Sequence, residues 1–257
     1  MNLFDLADGD DCIATSRKFA LKWTVSALNN SPRFRRITPG IETLPGKFSL
    51  PRHRHLRAYA TVVLAGCFEE SGYLGRIVAC PGDVLVHSAM DCHANQMVSA
   101  GVRLIRLNWL DASGTGGLYR VNEVDVLARA AERDVDDATI LLEEALARKP
   151  APPPGRRNDW PDMLAAELAQ NASMEIGEWA EANNLARGTV SRGFAAAYGV
   201  APAVFRAELR TRTAWLRVTR GFDCLSTIAA ETGFADQAHM TRWFHRLHWR
   251  ATGRMAP

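Results

Sequence analysis

The feature of this 257-residue chain that most restricts its fold is a helical pattern written twice in its last third. The first copy reads WAEANNLARGTVSRGF, Trp179 to Phe194, and the second reads IAAETGFADQAHMTRWF, Ile228 to Phe244. Arg192 and Arg242 lie fifty positions apart, as do Phe194 and Phe244, whereas Ala180 and Ala229 lie forty-nine apart. The copies therefore differ by one residue, and that residue falls in the turn. Each reads as a short helix, a tight turn and a second helix with apolar residues every fourth position, which is the helix-turn-helix pattern.

In the second copy Gly233 permits the backbone that the turn requires, Phe234 fills the space between the helices, and Asp236 is placed to cap the helix that follows. Met240 and Phe244 share the buried face of that helix. Gln237, Thr241 and His245 form one outward row, and Ala238 with Arg242 forms another. In the first copy Val190 and Phe194 point inward, leaving Arg187, Gly188, Ser191 and Arg192 on the opposite side and Thr189 at its edge. The second helix of such a unit enters the DNA major groove, where Gln and Arg can bond adenine or guanine in two places at once. Two copies imply a DNA-binding chain with two reading heads, the first discriminating less because Gly188 offers no side chain.

Residues 158–257 resemble the paired helix-turn-helix domain of the AraC/XylS family of transcriptional regulators. GFADQAHMTRWF, Gly233 to Phe244, is close to the family hallmark of the second unit. VSRGF, Val190 to Phe194, and YGVAP, Tyr198 to Pro202, match the first unit and its exit, and FRAELRTRTAWL, Phe205 to Leu216, resembles the joining helix. By position the resemblance carries groove contacts onto Gly188, Ser191 and Arg192 and onto Gln237, Ala238 and Arg242. Arg187, Thr189, Thr241 and Arg246 on the same segments complete the expected DNA-binding set. The resemblance further implies a transcriptional activator that contacts RNA polymerase, pairs as a homodimer and answers to a small-molecule effector.

Charge agrees with this reading, since binding to double-stranded DNA must offset phosphate charge. From Ser173 onward there are eleven Arg, no Lys and seven acidic residues, a balance of plus four in a chain whose formal net charge is plus three. A nonspecific chromosomal or RNA-binding protein would need a heavier basic charge and aromatic stacking positions, which this chain lacks. No apolar run reaches membrane-spanning length and the start MNLFDLADGDD is unlike a secretory signal, so a cytoplasmic protein without membrane contact is expected. The five cysteines, Cys12, Cys67, Cys80, Cys92 and Cys224, are odd in number and lack CxxC spacing, so reduced thiols are expected.

The predicted fold class is α+β in two domains. Short apolar runs such as YATVVLAG, RIVA and DVLVHS, broken by Gly, Pro and Asp, predict a β-barrel over residues 1–115. A helical region for dimerisation or linkage covers 116–148, with helices over Asn122–Arg133 and Asp134–Arg148. The stretch KPAPPPGRRND, Lys149 to Asp159, excludes helix and sets a Pro-rich linker over 149–157. The DNA-binding domain then occupies 158–257 and opens on a helix from Trp160 to Gln170.

Within the predicted barrel, RHRH, Arg52 to His55, then Gly66, then CPGDVLVHSAMDCH, Cys80 to His93, resemble the two motifs of the cupin fold. That resemblance implies an effector-sensing barrel and sets His53, His55 and His93 where metal-binding cupins hold their ion. Those proteins add a carboxylate, but Tyr59 or Ala60 occupies its place here. Two readings follow. Either His53, His55, Tyr59, His87, Cys92 and His93 line an effector pocket with no cofactor and no catalysis, or Cys92, His87 or Cys67 completes a divalent-metal site in a metal sensor or metal-dependent enzyme.

Overall fold

The computed structural model describes residues 34–110, 116–148, 157–171, 174–221 and 223–249, with side chains as far as 246. The expectations for the chain start, for Cys12, for linker residues 149–156 and for the segment after 249 lie outside the described residues. Internal packing divides the described residues into two compact units, one from Arg35 to Ala203 and one that includes those from Val204 onward.

Among the described residues of the first unit, nine strands form two antiparallel sheets. One sheet has the order β1 (Gly40–Pro45), β8 (Gly101–Asn108), β3 (Tyr59–Ala65), β6 (Asp83–His87), β9 (Gly117–Arg120). The other has the order β2 (Ser49–Arg54), β7 (Cys92–Met97), β4 (Phe68–Gly72), β5 (Gly75–Ala79). The period-two alternation of strand side chains divides the apolar residues into two layers. Ala60 and Val62, Val84 and Val86, and Ile105 and Leu107 face outward from the larger sheet. Val63, Leu85, Val102 and Leu104 face inward, where they meet Phe68, Ile77, Ala79 and Met97 of the smaller sheet.

The outward layer is covered by α1 (Val124–Arg133) and α2 (Val135–Arg148), which bury Leu127, Ala130, Ala131, Ala138 and Leu142 against it. Both helices begin one or two residues later than the sequence pattern suggests. For α2 the cause is Asp134, which is extended and whose carboxylate accepts hydrogen bonds from the backbone N–H of Asp136 at 2.7 Å and of Asp137 at 3.3 Å, starting α2 afresh. Leu127 and Leu142 each contribute roughly 1.5–3 kcal/mol by leaving water.

One expectation from the sequence is corrected here. Cys67 and Cys80 form a disulfide, and Cys224 is also disulfide-bonded. The β4–β5 register pairs Phe68 with Ala79, so the residues just outside that pair, Cys67 and Cys80, face each other across the open end of the hairpin with Cα atoms 4.4 Å apart. Odd number and loose spacing in the sequence carry no information about that register.

The same unit contains α3 (Trp160–Gln170), with the bounds read from the sequence, α4 (Ile176–Ala182) and α5 (Arg187–Tyr198). A capping box of Asp159 and Asp162 starts α3, with Pro161 in its first turn. Arg76 on β5 reaches this box: its Nε and Nη2 donate to the two carboxylate oxygens of Asp162 at 2.9 Å each, and Nη2 also pairs with Asp159. The Tyr198 hydroxyl at the end of α5 donates to Asp162 Oδ1 at 2.8 Å. Arg52 on β2 donates to the Tyr198 carbonyl at 3.3 Å. Strand, capping box and α5 thus share one buried carboxylate.

Burial by itself would raise the Asp162 carboxyl, but the hydrogen bonds it accepts, with Arg76 the foremost donor, outweigh this and hold it below the ordinary value of 3.8. Replacing Arg76 with Ala leaves that carboxylate buried and short of its main partner, so a loss of about 3–5 kcal/mol in urea denaturation is expected. Because Asp162 takes up its proton less readily in the fold than in the unfolded chain, its contribution is complete above the unfolded value and is lost as pH falls through the folded one. The difference between wild type and R76A should therefore narrow below about pH 3.8.

Candidate nucleic-acid interface and buried histidine cluster

In the first helix-turn-helix unit, α4 ends at Ala182 and Asn184 adopts the left-handed conformation at φ 54°. In the second unit, α7 (Leu225–Glu231) ends at the equivalent place and Gly233 has φ 79°. The exits match bond for bond. Leu185 N donates to Ala180 O at 2.9 Å, and Phe234 N donates to Ala229 O at 2.9 Å. Asn184 N donates to Glu181 O at 3.1 Å, and Gly233 N to Ala230 O at 3.2 Å. This pair of bonds is the Schellman exit, which needs a residue tolerant of positive φ, a role that Gly fills without strain and Asn with little.

The extra residue of the second unit therefore comes after the shared turn. Ala186 directly precedes α5, whereas Ala235 and Asp236 precede α8 (Gln237–Trp249). The addition brings a cap: the Asp236 carboxylate accepts the His239 N–H at 2.5 Å, while Ala186 before α5 caps with no side chain. The expected core positions hold. Val190, Phe194 and Tyr198 on α5, and Met240 and Phe244 on α8, are buried. α6 (Pro202–Arg220) precedes α7 in the chain. In the second unit its Arg210 donates to the Gly233 carbonyl at 3.0 Å, bracing the turn, and its Trp215 ring packs 6.0 Å from that of Phe244.

The predicted DNA-binding side chains lie on the opposite faces. Arg187, Gly188, Thr189, Ser191 and Arg192 are exposed, as are Gln237, Ala238, Arg242 and Arg246, while Thr241 is half-buried. Arg187 pairs with Glu181 at 3.3 Å, a surface contact of little strength. The Thr241 hydroxyl donates to the Gln237 carbonyl at 2.9 Å, so it is engaged with its own helix. The Arg246 guanidinium lies over the Trp243 ring, 5.4 Å from its centre.

The sheets bring the other predicted residues together. Cross-strand register sets His53 opposite His93 and Tyr59 opposite His87. His93 has room because its neighbour on β4 is Gly72, where a Cβ would stand 2.8 Å from the His93 Cβ. The ring centres of His53 and His93 lie 4.6 Å apart, and those of His87 and His93 lie 4.7 Å apart. Sequence reading missed Glu70. On β4 the buried positions are Phe68, Glu70 and Gly72, and Glu70 Oε2 lies 3.6 Å from His87 Nε2 and 4.0 Å from His93 Nε2. Strand alternation counted from the apolar anchor Phe68 selects Glu70 over its neighbour Glu69, a signal that was available in FEESG.

Two earlier substitutes for the missing carboxylate drop out. Cys67 is spent in its disulfide, and buried Cys92 belongs to neither group of donors that the fold gathers, which are His53–His55–His93 and Glu70–His87–His93. Burial dominates the electrostatics. It lowers His53 to about 4, His55 to about 2 and His87 to about 3, carries His93 well below its ordinary value, and raises Glu70 to about 8. At neutral pH the approach of Glu70 to His87 is thus a contact between uncharged groups. Nδ1 of His53 is bonded to the Pro51 carbonyl at 2.8 Å and Nδ1 of His55 to the Arg35 carbonyl at 2.7 Å, which leaves each Nε2 as the free lone pair. The interior space beside Tyr59, Glu70, His87 and His93 is about 10 Å³, roughly the room of one water molecule. A larger opening of about 330 Å³ adjoins it, lined by Arg35, Arg36, His53, His55 and Arg106 among others.

Residues 179–251 match the family model described as a helix-turn-helix domain. The match covers the C-terminal part of the chain and takes in both helix-turn-helix units. No match was found among the curated proteins. Similar solved structures include ToxT from Vibrio cholerae strain SCE256 bound to an unsaturated fatty acid, at 9% identity and TM-score 0.36, covering 86% of this chain and 97% of that one. Another is ToxT from Vibrio cholerae O395 bound to (E)-4-(8-methylnaphthalen-1-yl)but-3-enoic acid, at 9% identity and TM-score 0.34, covering 80% and 93%. Vicilin from Capsicum annuum is similar at 14% identity and TM-score 0.24 over 52% and 40%. At such scores none of these fixes a detail of this chain. Among the described residues no helix is long and apolar enough to cross a membrane.

Asp236→Ala should remove the side-chain cap of α8 and cost about 1 kcal/mol, read as a lower melting temperature. An Ala186→Asp change in the first unit, where such a cap is lacking, should shift it the other way.

Proposed function

We propose that the chain is a sequence-specific transcriptional activator that reads DNA with α5 and α8 and is controlled by a small effector bound in its N-terminal double sheet. The observation that carries this reading is the repetition of one hydrogen-bonded turn in two units, each followed by a helix that keeps its apolar residues buried and its polar face open. A charged surface helix arises often, but a twice-repeated exit of this kind serves to aim a second helix. Gln237 and Arg242 are the base-reading side chains, and Arg187, Ser191, Arg192, Ala238 and Arg246 make the remaining contacts together with Gly188, Thr189 and Thr241.

The effector pocket is the opening beside His53 and His55, whose volume of about 330 Å³ suits a small molecule. The domain division is the cupin-like segment 1–115, the helical region 116–148, the linker 149–157 and the DNA-binding domain 158–257. Homodimerisation through α1 and α2 is supported by the apolar side chains of Val126, Ile140 and Leu141, which these helices leave exposed. Effector control acts only through unequal affinity of the effector for two states of the protein, and activation proceeds by contact with RNA polymerase.

Selection from a random DNA pool by the full-length protein should recover a site with two short preferred blocks about ten base pairs apart. Recovery of no preferred sequence would overturn the proposal. On the recovered site Arg242→Ala should weaken binding by about 1–3 kcal/mol and blunt the preference at one base pair. Uniform weakening on all DNA would reassign Arg242 to a phosphate.

A further inference from the structure

We propose that Glu70, His87 and His93 form a binding site for one first-row divalent transition-metal ion, of the zinc or iron class, inside the double sheet. Neither Glu70 nor His87 belongs to the two-histidine motif, and no carboxylate stands where that motif would lead one to look. The smaller sheet supplies Glu70 and His93, and the larger sheet supplies His87. Their donor atoms all lie within 4.8 Å of one another, with His87 and His93 nitrogens 3.6 and 4.0 Å from the same Glu70 oxygen. Bonds of 2.0–2.1 Å in tetrahedral geometry require about 3.4 Å between ligand atoms, so the approaches of 3.6 and 4.0 Å to Glu70 would each close by under about 1 Å on an ion.

Two further observations point to an ion as the occupant. The space of about 10 Å³ beside these donors has room for an ion or a water. Asn95 donates to Glu70 Oε2 at 2.9 Å, holding the carboxylate in place as the outer partners of metal ligands do. Two imidazoles and one carboxylate, with no sulfur donor in the group, favour zinc, iron and their first-row neighbours over softer ions. His53 and His55 line the adjoining larger opening and define the competing trio with His93.

The test is titration of the chelator-stripped full-length protein with Co²⁺, whose visible bands report nitrogen and oxygen ligation, followed by competition with Zn²⁺. One equivalent per chain is expected. Glu70→Gln, His87→Gln and His93→Gln should each weaken binding by about 100-fold or more, whereas His53→Gln and Cys92→Ser leave it nearly unchanged. Absence of a saturable Co²⁺ or Zn²⁺ site in the wild type would overturn the proposal, and this result does not depend on any variant folding. So would binding that survives Glu70→Gln and His87→Gln but is lost in His53→Gln, since the ion would then sit in the other trio. Circular dichroism and binding to the selected DNA site confirm that each variant is folded, and keep a failure of the metal site separate from a failure of the DNA-binding reading.

Discussion

Cross-strand register between β2 and β7 and between β3 and β6 is the constraint on which the N-terminal unit depends. A slip of one residue in β3 would turn Tyr59, Thr61 and Val63 toward the helices and bring Ala60 and Val62 into the interior. The same alternation that buries Val84 and Val86 under α1 and α2 sends Leu85 and His87 inward. The apolar residues thereby hold the polar ones in place: many dispersive contacts specify the register, and the register leaves Glu70 and four histidines enclosed together.

Enclosure then sets their chemistry. Imidazoles taken out of water lose the charged form and become lone-pair donors, and a carboxylate among them takes up a proton or needs a cation. Elsewhere in the same unit the opposite balance holds at Asp162. Burial is met there by a bidentate guanidinium and a phenol, and the charged form wins. The two buried carboxylates differ in partners, and the partners decide the protonation state.

In the helix-turn-helix units the recurring element is the exit from the first helix. Asn184 and Gly233 are different residues in the same left-handed place, each followed by a bond from the next N–H to the Ala carbonyl five residues back. The one-residue length difference falls after this shared turn and lets Asp236 cap α8. Two units of unequal length in the sequence thus keep one turn geometry.

Much of this was legible in the chain. Periodicity located the α3 helix to the residue and the buried faces of α5 and α8, because helix faces are set by neighbours three and four positions away. Motif resemblance found His53, His55 and His93, and hydrophobic patterning found the β-rich N-terminal part and the α+β class, while the division into two sheets came from the structure. The sequence by itself determined where helices occur, which faces of α5 and α8 are apolar, and that a helix-turn-helix unit occurs twice. Tertiary structure alone decided that Cys67 meets Cys80, that Arg76 closes on Asp162 from eighty-six positions away, and that Glu70 joins His87 and His93. The physical reason is range: local pattern encodes backbone conformation, while a pairing between distant strands depends on a register that no neighbouring residue records.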